Sequence, residues 1–118
     1  MDRPAGGIVE IDHLEQDGAH TLRLIGELDM AGVPSLEGAF ARICADGTRS
    51  LTIDMQQLGF IDSTGLAAIV HVSGVCARHG YSFELIPGPP AVQRLFEVTG
   101  LDGVLPFAAD GRAAHDGG

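Results

Sequence analysis

The spacing of apolar positions changes along the chain, and each change predicts an element. Ile8 to Leu14 alternates loosely and predicts a first strand. Gln16-Asp17-Gly18 is a turn signal, and Asp-Gly favours a hairpin. His20 to Leu28 predicts a second strand, with Leu22 and Leu24 on one face and Arg23 and Ile25 on the other. These two strands are expected to be antiparallel neighbours. Pro34 suits the first turn of a helix, where its missing N–H does no harm. Leu36, Phe40 and Ile43 follow at helical spacing, widened by Ala39 and Cys44, and Asp46-Gly47 is expected to end the helix.

Ser50 to Met55 predicts a third strand, with Leu51, Ile53 and Met55 alternating against Thr52 and Asp54. Gln56 to Asp62 reads as a connection containing an apolar Phe60-Ile61 pair. Thr64 to His79 predicts a strong helix with Leu66, Ile69, Val70, Ser73, Cys76 and Ala77 on its stripe, ended by Gly80. Tyr81 to Ile86 predicts a fourth strand. After Pro87-Gly88-Pro89-Pro90, a short helix from Ala91 to Val98 turns Val92, Leu95 and Phe96 inward and is capped by Gly100. Val104 to Phe107 is the candidate for a short fifth strand.

Strands alternating with helices imply parallel pairs joined by right-handed crossovers, and the first hairpin adds an antiparallel pair. The fold class is therefore α/β: a single mixed sheet of four to five strands with helices packed mainly on one face. Thr21, Arg23, Thr52 and Asp54 are polar enough to let the other face meet water. No internal repeat or inter-domain linker interrupts the pattern. The domain is expected over residues 8–107, with flexible ends at 1–7 and 108–118.

Composition narrows the function classes. The chain has 118 residues, the size of one domain. Its formal net charge is −9, with the acids spread along the chain. Phosphates would be repelled by such a surface, so nucleic acid is not an expected partner. The charge suits a basic protein partner, or it serves solubility alone. No apolar run approaches the roughly 18 residues of a membrane span, and the first residues lack a basic segment followed by an apolar one. A cytoplasmic protein without membrane contact is the expectation. Cys44 and Cys76 fall on predicted apolar helix faces and read as core residues. His13, His20, His71, His79 and His115 are scattered without metal-ligand spacing, so neither metal nor cofactor is expected.

Candidate chemistry concentrates in Gly59-Phe60-Ile61-Asp62-Ser63-Thr64-Gly65-Leu66. Asp62 or Ser63 can cap the second helix with a side-chain oxygen. Gly65 in the first turn costs about 1 kcal/mol against Ala, so something must approach its backbone closely. That something is either a partner or the preceding part of the same chain. Enzyme chemistry has little support: Ser63 lacks a Gly-x-Ser-x-Gly context, and no Gly-rich phosphate loop is present. His71 and His79 lie two turns apart, about 12 Å along a helix.

Phe60-Ile61-Asp62-Ser63-Thr64-Gly65-Leu66 resembles the signature of the STAS domain, a family named for sulphate transporters and anti-sigma-factor antagonists. Gly26-Glu27-Leu28-Asp29 resembles the family's strand-end motif. Pro90-Ala91-Val92-Gln93-Arg94-Leu95-Phe96-Glu97-Val98-Thr99-Gly100-Leu101 resembles its last helix and the Gly-Leu that follows. The likeness covers about Ile8 to Phe107 and is closer to the stand-alone bacterial antagonist branch than to the transporter branch.

The resemblance implies that the unmodified protein binds an anti-sigma factor, itself a serine kinase of the histidine-kinase-like ATPase fold, and so frees a sigma factor. It implies phosphorylation at Ser63, with Thr64 the rival acceptor, and a phosphatase that resets the switch. It places Glu27, Asp29, Asp62, Ser63, Thr64 and Gly65 at the partner surface. Glu27 and Asp29 also have a plainer reading, as strand-end solubility and helix-capping residues. The alternative function keeps the fold without a phosphorylation cycle: a cytoplasmic subunit of a lipid-transport ATPase, or a scaffold in a stress complex.

Overall fold

The computed structural model describes residues 9–44 and 47–108. Strands β1 (Glu10–Gln16), β2 (Ala19–Leu28), β3 (Ser50–Ile61) and β4 (Ser82–Ile86) form one sheet in the order β1-β2-β3-β4. β1 pairs antiparallel with β2, and the other pairings are parallel. Helix α1 (Val33–Ile43) joins β2 to β3, α2 (Ser63–His79) joins β3 to β4, and α3 (Pro90–Val98) follows β4. The sheet is mixed, as the sequence predicts.

Asp17 (φ 52°) and Gly18 (φ 84°) both take positive φ, the requirement of a tight hairpin turn. That turn sets the register, Gln16 opposite Ala19, and puts Leu22 and Leu24 on the covered face. There they join Leu51, Ile53, Met55 and Leu85 from the neighbouring strands and Leu36, Phe40, Leu66, Ile69, Val92 and Phe96 from the three helices in one core. The opposite face carries the row Leu14, Thr21, Thr52 and Glu84, which lines an open depression of about 700 Å³.

Third-strand length departs from expectation. β3 runs on to Ile61, through the stretch predicted as a connection. Against β2 its register slips twice: Arg23 faces Asp54 but Ile25 faces Gln57, and Gly26 faces Leu58 but Glu27 faces Phe60. Each slip inserts one extra β3 residue and moves the following side chains to the other face. The buried positions therefore alternate through Leu51, Ile53 and Met55, then continue at three-residue spacing through Leu58 and Ile61. A period-of-two reading loses the strand at the first bulge. The same bulge corrects the expectation for Asp54, which is buried: its Oδ1 accepts the Gln56 N–H at 2.9 Å and Arg23 Nε lies 3.5 Å from Oδ2.

Other differences are local. α1 ends at Ile43, and Gly47 takes its left-handed conformation (φ 92°) beyond the helix rather than as its cap. The Thr48 hydroxyl instead donates to the Ile43 carbonyl, one of the acceptors a helix end leaves open. On α2, Val70 and Ala77 are exposed, whereas Val72, absent from the predicted stripe, is buried. Gly80 ends α2 at φ 78°, as expected. The expected fifth strand is replaced by a 3-10 turn, Leu101–Gly103, and a single parallel bridge between Leu85 and Phe107. Pro106 has no N–H to extend a ladder. Ala108, expected in the loose tail, is buried and donates its N–H to Leu85 O at 2.8 Å. The flexible ends expected at 1–7 and 109–118 lie outside the described residues.

Candidate partner-docking site

Because β2 and β3 run parallel, their carboxyl ends arrive together. Leu28 pairs with Ile61 and Glu27 with Phe60, and the Asp62 N–H donates to Leu28 O at 3.3 Å. The turns that follow the two strands, Asp29-Met30 and Asp62-Ser63, thus lie side by side. In α/β sheets this end collects functional groups, because each loop there leads into a helix N-terminus.

Asp62 is the cap of α2. It is extended (φ −115°, ψ −173°), and its Oδ1 accepts the Gly65 N–H at 3.0 Å and the Thr64 hydroxyl at 2.6 Å. The Thr64 hydroxyl and then the Gly65 N–H hold this carboxyl below the usual carboxylate range against the opposing effect of burial, with lesser help from the Thr64 and Met30 backbone. Asp62 stays ionised at neutral pH.

Ser63, the first residue of α2, is exposed, and its hydroxyl has no hydrogen-bond partner among the described residues. Thr64 is also exposed, but its hydroxyl proton is committed to Asp62. The two candidate acceptors therefore differ: one is free and the other is engaged with a carboxylate.

Gly65, expected at the partner surface, is buried against this chain's own strands. A Cβ there would sit 2.2 Å from Leu28 O, 2.9 Å from Leu28 Cγ and 3.0 Å from Ile61 Cγ1. The close neighbour is the chain itself, and the glycine lets the N-terminus of α2 rest on the end of β2. Asp29 also has internal work. Its Oδ1 accepts the N–H groups of Ala31 and Gly32 at 3.1 Å each, shaping the turn into α1. Glu27 is exposed, on the same sheet face as Phe60.

Three exposed apolar residues were not among the expected site residues: Met30 (72%) and Phe60 (48%) near the strand ends, and Val70 (39%) further along α2. Val70 follows Ser63 by seven residues, two helical turns, and shares its face of α2, with exposed Ala67 between them. Met30 follows β2 and Phe60 stands near the end of β3, opposite Glu27 and on the sheet face away from the buried Leu28–Ile61 pair. One signal for Val70 was available: the α2 pattern has more apolar positions than one buried stripe can hold. Among the described residues no cluster of three His, Cys, Asp or Glu side chains forms a metal site, and no helix is long and apolar enough to cross a membrane. Both cysteines are free thiols. Cys76 is buried, and burial chiefly, with Cys44 beside it, raises its pKa to about 11.

The chain thus combines a mixed sheet covered by helices with an exposed serine at the end of two parallel strands. The family described as "Mlab, STAS domain" matches residues 13–106. This chain belongs to the STAS-domain family. It is 29% identical over 97 residues to the anti-sigma-B factor antagonist of Staphylococcus aureus, covering 82% of this chain and 90% of that protein. The crystal structure of an anti-sigma factor antagonist from Mycobacterium paratuberculosis superposes with a TM-score of 0.69 at 26% identity, over 91% of this chain and 89% of the other. The antagonist SpoIIAA in its unphosphorylated form shares the fold, with a TM-score of 0.70 at 19% identity over 86% of this chain and 88% of the other.

Proposed function

We propose that this protein is an anti-sigma-factor antagonist whose docking surface surrounds Ser63 and is switched off by phosphorylation there. The observation that carries the reading is the exposed Ser63 hydroxyl, which has no hydrogen-bond partner among the described residues, beside a Thr64 hydroxyl that donates to Asp62. The names of the Staphylococcus aureus relative and the Mycobacterium paratuberculosis structure support the antagonist role.

The partner is an anti-sigma factor that is also a serine kinase of the histidine-kinase-like ATPase fold. Met30, Phe60 and Val70 supply apolar contact, and the kinase reaches Ser63 from within the docked complex. Glu27 and Asp62 add an acidic rim suited to basic groups on that partner. A phosphatase restores the free hydroxyl, and the cycle runs in the cytoplasm.

Phosphorylation adds about −1.5 to −2 charges at Ser63. A helix N-terminus often welcomes an anion. Here the Asp62 carboxylate already takes the Gly65 N–H, with the Thr64 N–H close by. The phosphoryl group is thus left facing outward, next to a like charge. The domain keeps its fold and the docked interface must accommodate the dianion. A loss of about 3 kcal/mol weakens binding by two powers of ten.

The test is reconstitution with the serine kinase recovered from the native host. The unmodified chain and Ser63→Ala should both bind, and only the former should be released when ATP is added. Thr64→Val should still be modified at Ser63. Ser63→Asp should bind at least 100-fold more weakly while melting close to the wild type. Undiminished binding by Ser63→Asp, or mass spectrometry finding the phosphate on Thr64, would overturn the switch.

A further inference from the structure

The sheet end opposite Ser63 carries a second polar cluster that this switch does not use. His13 on β1 and His20 on β2 stand on the helix-covered face, one step apart in register: Glu15 is opposite His20, and Leu22 is opposite His13. Their rings stack with centroids 5.1 Å apart and planes at 27°, and His13 Nε2 lies 2.8 Å from His20 Nδ1. On its other side, His20 Nε2 lies 3.4 Å from Thr48 Oγ1, in the connection between α1 and β3. The Thr48 hydroxyl is bonded to the Ile43 carbonyl, in the last turn of α1.

Counting protons gives each bond a direction. A carbonyl only accepts, and a hydroxyl has one proton, so Thr48 donates to Ile43 and turns a lone pair toward His20. The proton of neutral His20 is then on Nε2, and Nδ1 is its acceptor. The 2.8 Å bond is therefore His13 Nε2–H donating to His20 Nδ1. The other tautomer would set the Nε2 lone pair against the lone pair of Thr48.

We propose that His13, His20, Thr48 and the Ile43 carbonyl form a one-directional hydrogen-bond clasp, tying the β1–β2 hairpin to the end of α1, that acid opens by protonating His20 at Nδ1. That proton removes the acceptor in the middle of the chain and sets N–H against N–H. A proton added to His13 at Nδ1 leaves the clasp closed.

The charged groups around the pair are few. On β1, Glu15 favours a charged His20, while its Oε2 accepts the Gly18 N–H at 3.0 Å. From α1, Arg42 lines the same groove as His13, together with Glu10 of β1. Asp17 is exposed in the hairpin turn, and the Arg49 side chain lies against Gly18. β3 places apolar Leu51 opposite His20, and Asp46 lies outside the described residues. Burial first, and His13 second, hold His20 below the usual imidazole range against the pull of Glu15. With the folded value depressed, the clasp is fully made above about pH 6.5, and its stabilisation is lost as pH falls through the folded value.

The clasp is about 26 Å along β2 from the Ser63 end, by strand rise, and stands or falls independently of the switch. It is tested by nitrogen-15 NMR of the imidazoles in the full chain, titrated from pH 8 to 5. His20 should be the Nε2–H tautomer at pH 8, and the amides of Gly18, Ala19 and Thr48 should shift with its titration. In His13→Ala its midpoint should move up toward about 6.5. In Thr48→Val the tautomer preference should be lost. An Nδ1–H tautomer in the wild type, an unmoved midpoint in His13→Ala, or hairpin amides that ignore His20 would each overturn the clasp.

Discussion

Replacing Gly65 by alanine separates two effects that usually point the same way. Alanine is the better helix former by about 1 kcal/mol, so an unconstrained Gly→Ala change in α2 should stabilise the protein. At Gly65, however, the new Cβ would lie 2.2 Å from the Leu28 carbonyl oxygen, about 0.8 Å inside the 3.0 Å that a Cβ tolerates. The obstacle is backbone at the end of a buried strand, with Leu28 Cγ and Ile61 Cγ1 closing the other sides. None of these can swing away, so the N-terminus of α2 must lift from β2. Overpacking of this kind costs about 1–3 kcal/mol, and the propensity gain offsets about 1 of it. The expected net is a destabilisation of up to about 2 kcal/mol. The lift would also stretch the bond between the Asp62 N–H and Leu28 O, already 3.3 Å, and so displace Ser63 relative to Met30. Partner binding should fall by more than the lost stability explains. Urea unfolding of the full chain provides the assay, with Gly74→Ala as control. Gly74 is also on α2, and its nearest contact for a Cβ is Arg78 Nη1 at 3.7 Å, so that variant should gain about 0.5–1 kcal/mol. If Gly65→Ala unfolds at the same urea concentration as Gly74→Ala, the close packing of α2 on β2 is wrong.

Asp62→Ala should cost about 1 kcal/mol at pH 7 through loss of the cap. Because the folded Asp62 carboxyl titrates below its usual range, its contribution is present above about pH 4 and fades as pH falls through the folded value. Denaturation curves of the variant and the wild type should therefore converge in acid, and a constant gap would contradict the capping account. Cys76, with a pKa raised to about 11 and no exposed surface, should resist alkylation at pH 8 in the folded protein and react once urea unfolds it. Native labelling at the rate of a small thiol would contradict its burial. Leu66→Asp places a charge in the core and should abolish cooperative unfolding, seen as loss of the thermal transition.

The order of elements was legible because each has a signal carried by its own residues. Asp17-Gly18 specifies a hairpin locally, since only residues tolerant of positive φ can form it. Pro34, Gly80 and Gly100 mark helix starts and ends for similar local reasons. Asp62 as cap, Ser63 at the helix mouth and the alternation of strand with helix follow from neighbours in sequence.

What remained hidden depends on the partner strand or on distant packing. The second half of β3 reads as a connection until β2 lies beside it, because a bulge is a mismatch between two strands and neither one shows it alone. Asp54 looks solvent-facing until Arg23 and the bulged Gln56 amide enclose it. Gly65 leaves two readings open until the Leu28 carbonyl occupies the space of its missing side chain. Val70 counts as core by its chemistry, and only the placement of α2 on the sheet turns it outward, on the same helix face as Ser63. Local conformational preference is a property of the chain; which side of each element meets water is decided by what else the fold brings there.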